Sequence, residues 1–133
     1  MKKILFVCVE NAGRSQMAEA FAKKYGKDQF DVSSAGNKPA DKVNPVVVEV
    51  MKEKGIDISN NKPKMITAKM AMDVDLIVTM GCSAQNLCPG PFFKPVIDWA
   101  LEDPKGKPIE KVREIRDEIE RKIQNLIAEN LKS

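Results

Sequence analysis

The amino-acid sequence predicts a three-layer α/β/α protein, in which helices cover both faces of a four-stranded parallel sheet. Two observations predict it. Apolar runs of strand length alternate with segments of helical periodicity, which is the order that a parallel sheet requires. The chain has 133 residues, 43% of them hydrophobic and 31% charged, so it is long enough to bury the core of a single domain over residues 1–133.

The first half of the chain contains two predicted strands and two predicted helices. Lys3–Val9 carries a continuous apolar run, as expected of a strand buried on both faces. Ser15–Tyr25 places its apolar residues on one helical stripe, and Phe30–Ala35 is a second strand that a glycine closes. An Asn-Pro pair, typical of an N-cap and a first helical residue, begins a helix over Pro45–Gly55.

The second half contains the other two strands, a short helix and a long one. Thr67–Met72 is predicted to be helical, and Asp75–Met80 and Pro95–Leu101 are the third and fourth strands. Between those strands, Gly81–Lys94 has no regular period and is predicted to be a long loop, a type of segment that is often functional. Pro108 begins a long amphipathic helix whose apolar residues recur at helical spacing.

Composition excludes several classes of function. The longest clean apolar run, Ile4–Val9, is far shorter than the roughly 20 residues of a membrane span, and the N-terminus lacks the pattern of a signal peptide. A net charge of +3 with 5% aromatic residues predicts no nucleic-acid surface. Three cysteines without a secretion signal favour reduced thiols in the cytoplasm. No apolar stripe is left over for a partner, so we expect a monomer.

The loop after the first strand, CVENAGRS (Cys8–Ser15), is the predicted active site. Ligands of open parallel sheets bind at the carboxyl ends of the strands, and a helix that starts at Ser15 adds its N-terminus to the same point. Arg14 adds a planar fork of donors for a tetrahedral oxyanion, and Cys8 becomes a nucleophile whose negative charge these groups favour. The predicted oxyanion ligands are the backbone N–H groups of Glu10, Asn11, Ala12, Gly13, Arg14 and Ser15.

The chain contains no histidine, so a general acid or base has to be another residue. A zinc site is disfavoured for a related reason, because three cysteines without histidine fall short of the four ligands that structural zinc requires. No metal is therefore expected.

Several motifs resemble the low-molecular-weight protein tyrosine phosphatases over nearly the whole chain. They are the C-x-x-x-x-x-R-S pattern from Cys8, RSQMAEAF (Arg14–Phe21), SSAG (Ser33–Gly36) and Asp103-Pro104. The resemblance implies a sheet of strand order 2-1-3-4. It also implies that Cys8 attacks the substrate and that Asp103 is the general acid.

Cys82 and Cys88, in GCSAQNLCPG, resemble the redox loop of the thioredoxin-coupled arsenate reductases, which share this fold. That likeness implies a relay of disulfides from Cys8 to Cys82 to Cys88, with thioredoxin as external reductant and no tightly bound cofactor. The substrate would be arsenate or a phosphate-like oxyanion. The alternatives are a phosphatase acting on phosphate monoesters and, for Cys82 and Cys88, two packing cysteines.

Two departures from the reductase pattern concern charge. Glu10 places an acid in a loop that is meant for an anion. Some members of the family bind potassium beside the loop, and Asn11, Glu19 and Ser34 match that site. Lys64 falls at its acidic position, which makes a potassium site doubtful. We expect the Lys64 ammonium to take the cation's place and to contact Glu19 or Asn11.

Overall fold

The computed structural model describes residues 2–80 and 96–131. In chain order, the strands and α-helices of these ranges are strand β1 (Lys2–Cys8), helix α1 (Arg14–Gly26), strand β2 (Phe30–Gly36), helices α2 (Pro45–Lys52) and α3 (Ala68–Asp73), strands β3 (Leu76–Thr79) and β4 (Val96–Asp98), and helix α4 (Ile109–Leu131). All strand pairs are parallel, and the sheet order is β2-β1-β3-β4. The predicted fold class and strand order are therefore confirmed.

The central strand explains the three layers. Residues 4–7 of β1 are completely buried, and alternate side chains point to opposite faces of the sheet. Ile4 and Phe6 belong to the larger core, which α1, α2 and α4 cover, whereas Leu5 and Val7 face α3. The loop that follows β1 therefore begins at the carboxyl end of a strand that is buried on both faces.

Helix α2 ends earlier than predicted, although the chain turns at the predicted glycine. The helix ends at Lys52, and Gly55 adopts φ +77°. The Gly55 N–H donates to the Lys52 carbonyl at 2.9 Å, and the Ile56 N–H donates to the Met51 carbonyl at 3.1 Å. This pair of bonds is the Schellman motif, which ends a helix where glycine supplies a left-handed residue.

Strand β4 is shorter than the predicted Pro95–Leu101. The Trp99 N–H still donates to the Thr79 carbonyl at 2.8 Å, but the Leu101 N–H turns back to the Trp99 carbonyl. Trp99 is buried beside Phe6, with ring centroids 6.3 Å apart. The packing of this side chain directs the chain out of the sheet and toward the loop that follows β1.

The predicted loop Gly81–Lys94 lies outside the described residues. Within the residues that the structure does describe, no helix is long and apolar enough to cross a membrane.

Candidate active site

The loop between β1 and α1 has the geometry of an anion site. Its backbone N–H groups from Glu10 to Ser15 donate to no acceptor in the described part of the chain. Gly13 caps α1 without a side-chain hydrogen bond, and the first turn of the helix carries no acidic residue. The partial positive charge of the helix N-terminus is therefore left for a bound oxyanion.

Cys8 is the last residue of β1 and lies at the base of this loop. Its side chain is buried, and its Sγ lies 2.8 Å from Ser15 Oγ in the first turn of α1. The two side chains therefore join the end of β1 to the start of α1 across the loop.

Asn11 determines which way the Ser15 hydroxyl points. Its Nδ2 donates to Ser15 Oγ at 2.7 Å, while its Oδ1 accepts from the Lys64 N–H at 2.9 Å and from Gln16 Nε2 at 3.1 Å. These acceptor contacts fix the orientation of the amide. Because Ser15 Oγ accepts from Asn11, its proton remains to be donated to Cys8.

Asn11 also adopts the left-handed conformation, with φ +52°. Asparagine tolerates this region better than most residues, and the contacts of its buried side chain hold it there. Contacts with residues outside the loop therefore help to hold Asn11 in this unfavourable backbone conformation.

Another branch of this network ends on an ion pair. Asn11 Nδ2 also donates to Ser34 Oγ at 3.0 Å, and the Ser34 hydroxyl donates to the buried carboxylate of Glu19. Lys23, one helical turn after Glu19, pairs with that carboxylate at 2.7 Å.

The prediction that the Lys64 ammonium contacts Glu19 or Asn11 is wrong. Lys64 contacts Asn11 through its backbone N–H, and its side chain is exposed. The ammonium that pairs with Glu19 belongs to Lys23, which lies one helical turn after it on α1.

Arg14, at the start of α1, is buried and aimed across the loop. Its Nη1 donates to the Leu101 carbonyl at 3.0 Å, and its Nη2 lies 3.8 Å from Asp103 Oδ2. A guanidinium has five N–H donors, so others stay available to an oxyanion. The segment after β4 therefore brings Asp103 to the opening of the loop, with about half of its side chain exposed.

Two close approaches depend on glycine. A Cβ on Gly13 would lie 2.9 Å from Pro104 Cγ, so the absence of a side chain lets the Asp103-Pro104 segment pack against the loop. A Cβ on Gly36, which pairs with Cys8 in the sheet, would lie 2.5 Å from the Val9 carbonyl oxygen.

The space enclosed by these elements is a cavity of about 360 Å³. Residues of the loop form one wall, and residues 103–106 form another. Glu10 and Lys105 stand at its edge, with Glu10 Oε2 and Lys105 Nζ 3.0 Å apart. The acid that the sequence placed in the anion loop is thus paired with a cation.

The structure brings together Cys8, the loop from Glu10 to Ser15, and Asp103. Cys82 and Cys88 lie outside the described residues. Sequence reasoning missed Lys105, for which no local pattern gave a signal. It also missed Lys23, for which the i,i+4 spacing from Glu19 was an available signal.

A parallel sheet of this order, with a cysteine and an arginine enclosing an anion loop, defines a phosphatase-like α/β protein. Residues 3–133 match the family model described as low molecular weight phosphotyrosine protein phosphatase, and the chain belongs to this family.

Similar proteins within the family are named arsenate reductases. The glutaredoxin arsenate reductase of Synechocystis is 40% identical over 96% of this chain and 98% of that protein. Arsenate reductase 2 of Staphylococcus haemolyticus is 41% identical over 93% of this chain and 95% of its own length.

Solved structures similar to this chain include arsenate reductases and a phosphatase. An arsenate reductase in the phosphate binding state superposes with a TM-score of 0.87 at 38% identity, over 97% of this chain and 98% of that one. The thioredoxin-dependent arsenate reductase of Corynebacterium glutamicum has a TM-score of 0.83 at 36% identity, over 100% of this chain and 64% of that one. The YwlE arginine phosphatase of Geobacillus stearothermophilus has a TM-score of 0.87 at 27% identity, over 99% and 94%.

Proposed function

We propose that this protein is a cytoplasmic arsenate reductase that uses its own thiols as the immediate reductant. The observation that carries the proposal is the position of Cys8. Its sulfur lies 2.8 Å from the Ser15 hydroxyl, beside a loop whose backbone N–H groups meet no acceptor among the described residues, and Cys8, Arg14 and Asp103 line the same cavity. The names of the relatives support arsenate as the oxyanion.

The first step is the formation of a thiol–arsenic adduct. The loop N–H groups and Arg14 hold arsenate, and the Ser15 proton stabilises the Cys8 thiolate that attacks As(V). Asp103 gives a proton to the departing oxygen, which leaves as water. Without histidine in the chain, this aspartate is the acid nearest to Arg14 at the cavity.

The second stage reduces arsenic and restores the nucleophile. The Cys82 thiolate attacks the Cys8 sulfur, and the electron pair of the S–As bond goes to arsenic, so that arsenite leaves and a Cys8–Cys82 disulfide forms. Cys88 then attacks Cys82, which frees Cys8 and leaves a Cys82–Cys88 disulfide. The dithiol of thioredoxin reduces that disulfide. The resemblance of this segment to the redox loop of thioredoxin-coupled reductases supports this order, and the thioredoxin-dependent relative supports thioredoxin as the reductant.

The test is arsenate-dependent oxidation of NADPH in the presence of thioredoxin and thioredoxin reductase. Wild type is expected to turn over, and Cys88→Ser is expected to lose steady turnover because its Cys8–Cys82 disulfide has no resolving thiol. Replacing thioredoxin and its reductase with glutaredoxin, glutathione and glutathione reductase tests the other reductant that the name of the Synechocystis relative suggests. If arsenate-dependent oxidation of NADPH is absent with both reductants, the proposal is wrong.

A phosphatase is the second candidate, favoured by the family match and by the arginine phosphatase among the structural neighbours. The same Cys8, Arg14 and Asp103 would form and hydrolyse a phosphocysteine. Steady hydrolysis of 4-nitrophenyl phosphate without any arsenate reduction, unchanged in Cys88→Ser, would favour it. Weak hydrolysis beside arsenate reduction is expected, since both reactions share the first step.

A further inference from the structure

We propose that the Glu10–Lys105 ion pair is a clasp that positions Asp103 over the anion loop. The proposal rests on the arsenate reductase function proposed above and assigns a role to two residues outside its chemical steps. Glu10 lies two residues after Cys8, and Lys105 lies two residues after Asp103. Their side chains meet at 3.0 Å at the edge of the cavity.

Besides the approach of Arg14 to Asp103 at 3.8 Å, three contacts attach the segment that carries Asp103 to the loop. The Leu101 carbonyl accepts from Arg14, and Pro104 is buried against Gly13. Both of these contacts lie at the end of the loop where α1 begins. Lys105 provides the third, because it reaches Glu10 at the end of the loop nearest to β1.

Asp103 is coupled directly to this third contact. Its Oδ1 accepts from the Lys105 N–H at 3.0 Å, and the chain then turns at Gly106, with φ +74° and a Lys107 N–H to Pro104 carbonyl bond of 3.1 Å. The tight turn fixes the direction in which the Lys105 side chain leaves the backbone. Holding its ammonium on Glu10 therefore holds the Asp103 carboxyl on the same side of the cavity, 3.8 Å from Arg14.

The ion pair also explains how the anion loop can contain the acidic residue Glu10. An unpaired carboxylate at this position would repel the oxyanion, and the paired ammonium offsets its charge. The pair is exposed, with 33% of the Glu10 side chain and 69% of the Lys105 side chain accessible, so salt screens it. Lys107 offers a matched control, because it lies in the same segment and pairs with Glu102 at 3.2 Å without touching the loop.

The test measures arsenite release in a single turnover of the reduced protein at saturating arsenate, which needs no external reductant. Asp103→Asn sets the rate without the acid, about a hundredfold slower than wild type. Glu10→Gln and Lys105→Met are each expected to slow the step about fivefold, the upper end of what an exposed ion pair contributes. Lys107→Met should match wild type, and the charge swap Glu10→Lys with Lys105→Glu should recover most of the loss.

Salt gives an independent readout. Raising sodium chloride to about 1 M should bring the wild-type rate down to that of Glu10→Gln, whose own rate should barely change. Any one of three results would overturn the clasp. They are a wild-type rate in either single variant, a charge swap no faster than the single variants, and an Asp103→Asn variant as fast as wild type. If wild type releases no arsenite at all, the proposed function fails instead.

Discussion

Removing the Ser15 hydroxyl is the most direct perturbation of the predicted nucleophile. Ser15→Ala deletes the oxygen that lies 2.8 Å from Cys8 Sγ and that also accepts from Asn11 at 2.7 Å. Asn11 keeps its bond to Ser34, and alanine is a better helix former than serine, so the helix and the loop should persist. The reactivity of Cys8 should nevertheless fall.

The magnitude follows from the charge on the acceptor. A hydrogen bond to a charged group contributes about 1.5–3 kcal/mol, a factor of roughly ten to a hundred in an equilibrium constant. A sulfur that has lost this hydrogen bond is also a stronger nucleophile, and this recovers almost half of the effect on a logarithmic scale. The net loss expected in the alkylation rate at neutral pH is therefore about three- to tenfold.

The assay is iodoacetamide alkylation in a Cys82→Ser, Cys88→Ser background, where Cys8 is the only thiol among the three cysteines. Ser59→Ala, at an exposed position away from the cavity, serves as the control and should react at the background rate. If Ser15→Ala reacts as fast as Ser59→Ala, the hydroxyl does not stabilise the thiolate and the reasoning from the network is wrong.

Three further predictions follow from the geometry. Bound phosphate should protect Cys8 from alkylation, and Arg14→Lys should weaken this protection about tenfold or more, because lysine lacks the planar fork of donors. Equal protection in the variant would contradict this. Gly36→Ala should lower the free energy of unfolding by about 1–3 kcal/mol in urea, because its Cβ would lie 2.5 Å from the Val9 carbonyl oxygen; an unchanged midpoint would show that the backbone can yield. Hydrogen bonds from Arg113, and to a smaller extent from Arg116, lower the pKa of Glu53 from 4.5 to about 2. The higher thermal stability of wild type over Glu53→Gln should therefore be complete above pH 4.5 and disappear as the pH falls toward 2. A stability difference that persists at pH 2 would contradict this.

The parts of the site that are contiguous in sequence could be predicted. Cys8, the loop and Arg14 lie within one strand–loop–helix unit, so local periodicity and the ligand-binding habit of parallel sheets were sufficient. The strand order came from the resemblance to the family, and the structure confirms it.

Contacts between distant segments could not be predicted in the same way. Glu10 and Lys105 are 95 residues apart, and no periodic pattern connects them. The contact exists because burial of Trp99 and Pro104 directs the chain after β4 across the loop. Lys64 was assigned a contact through its ammonium, but the structure uses its backbone N–H, a group that every non-proline residue carries and that sequence patterns do not distinguish.

The central claim is that the thiols of this chain supply the two electrons that reduce arsenate, starting at Cys8. The measurement that tests it most directly mixes reduced Cys88→Ser with one equivalent of arsenate, without any reductant, and quantifies arsenite and cysteine pairing by mass spectrometry. We predict one arsenite per chain and a Cys8–Cys82 disulfide. Free thiols and intact arsenate, in a protein that still hydrolyses an aryl phosphate, would contradict it.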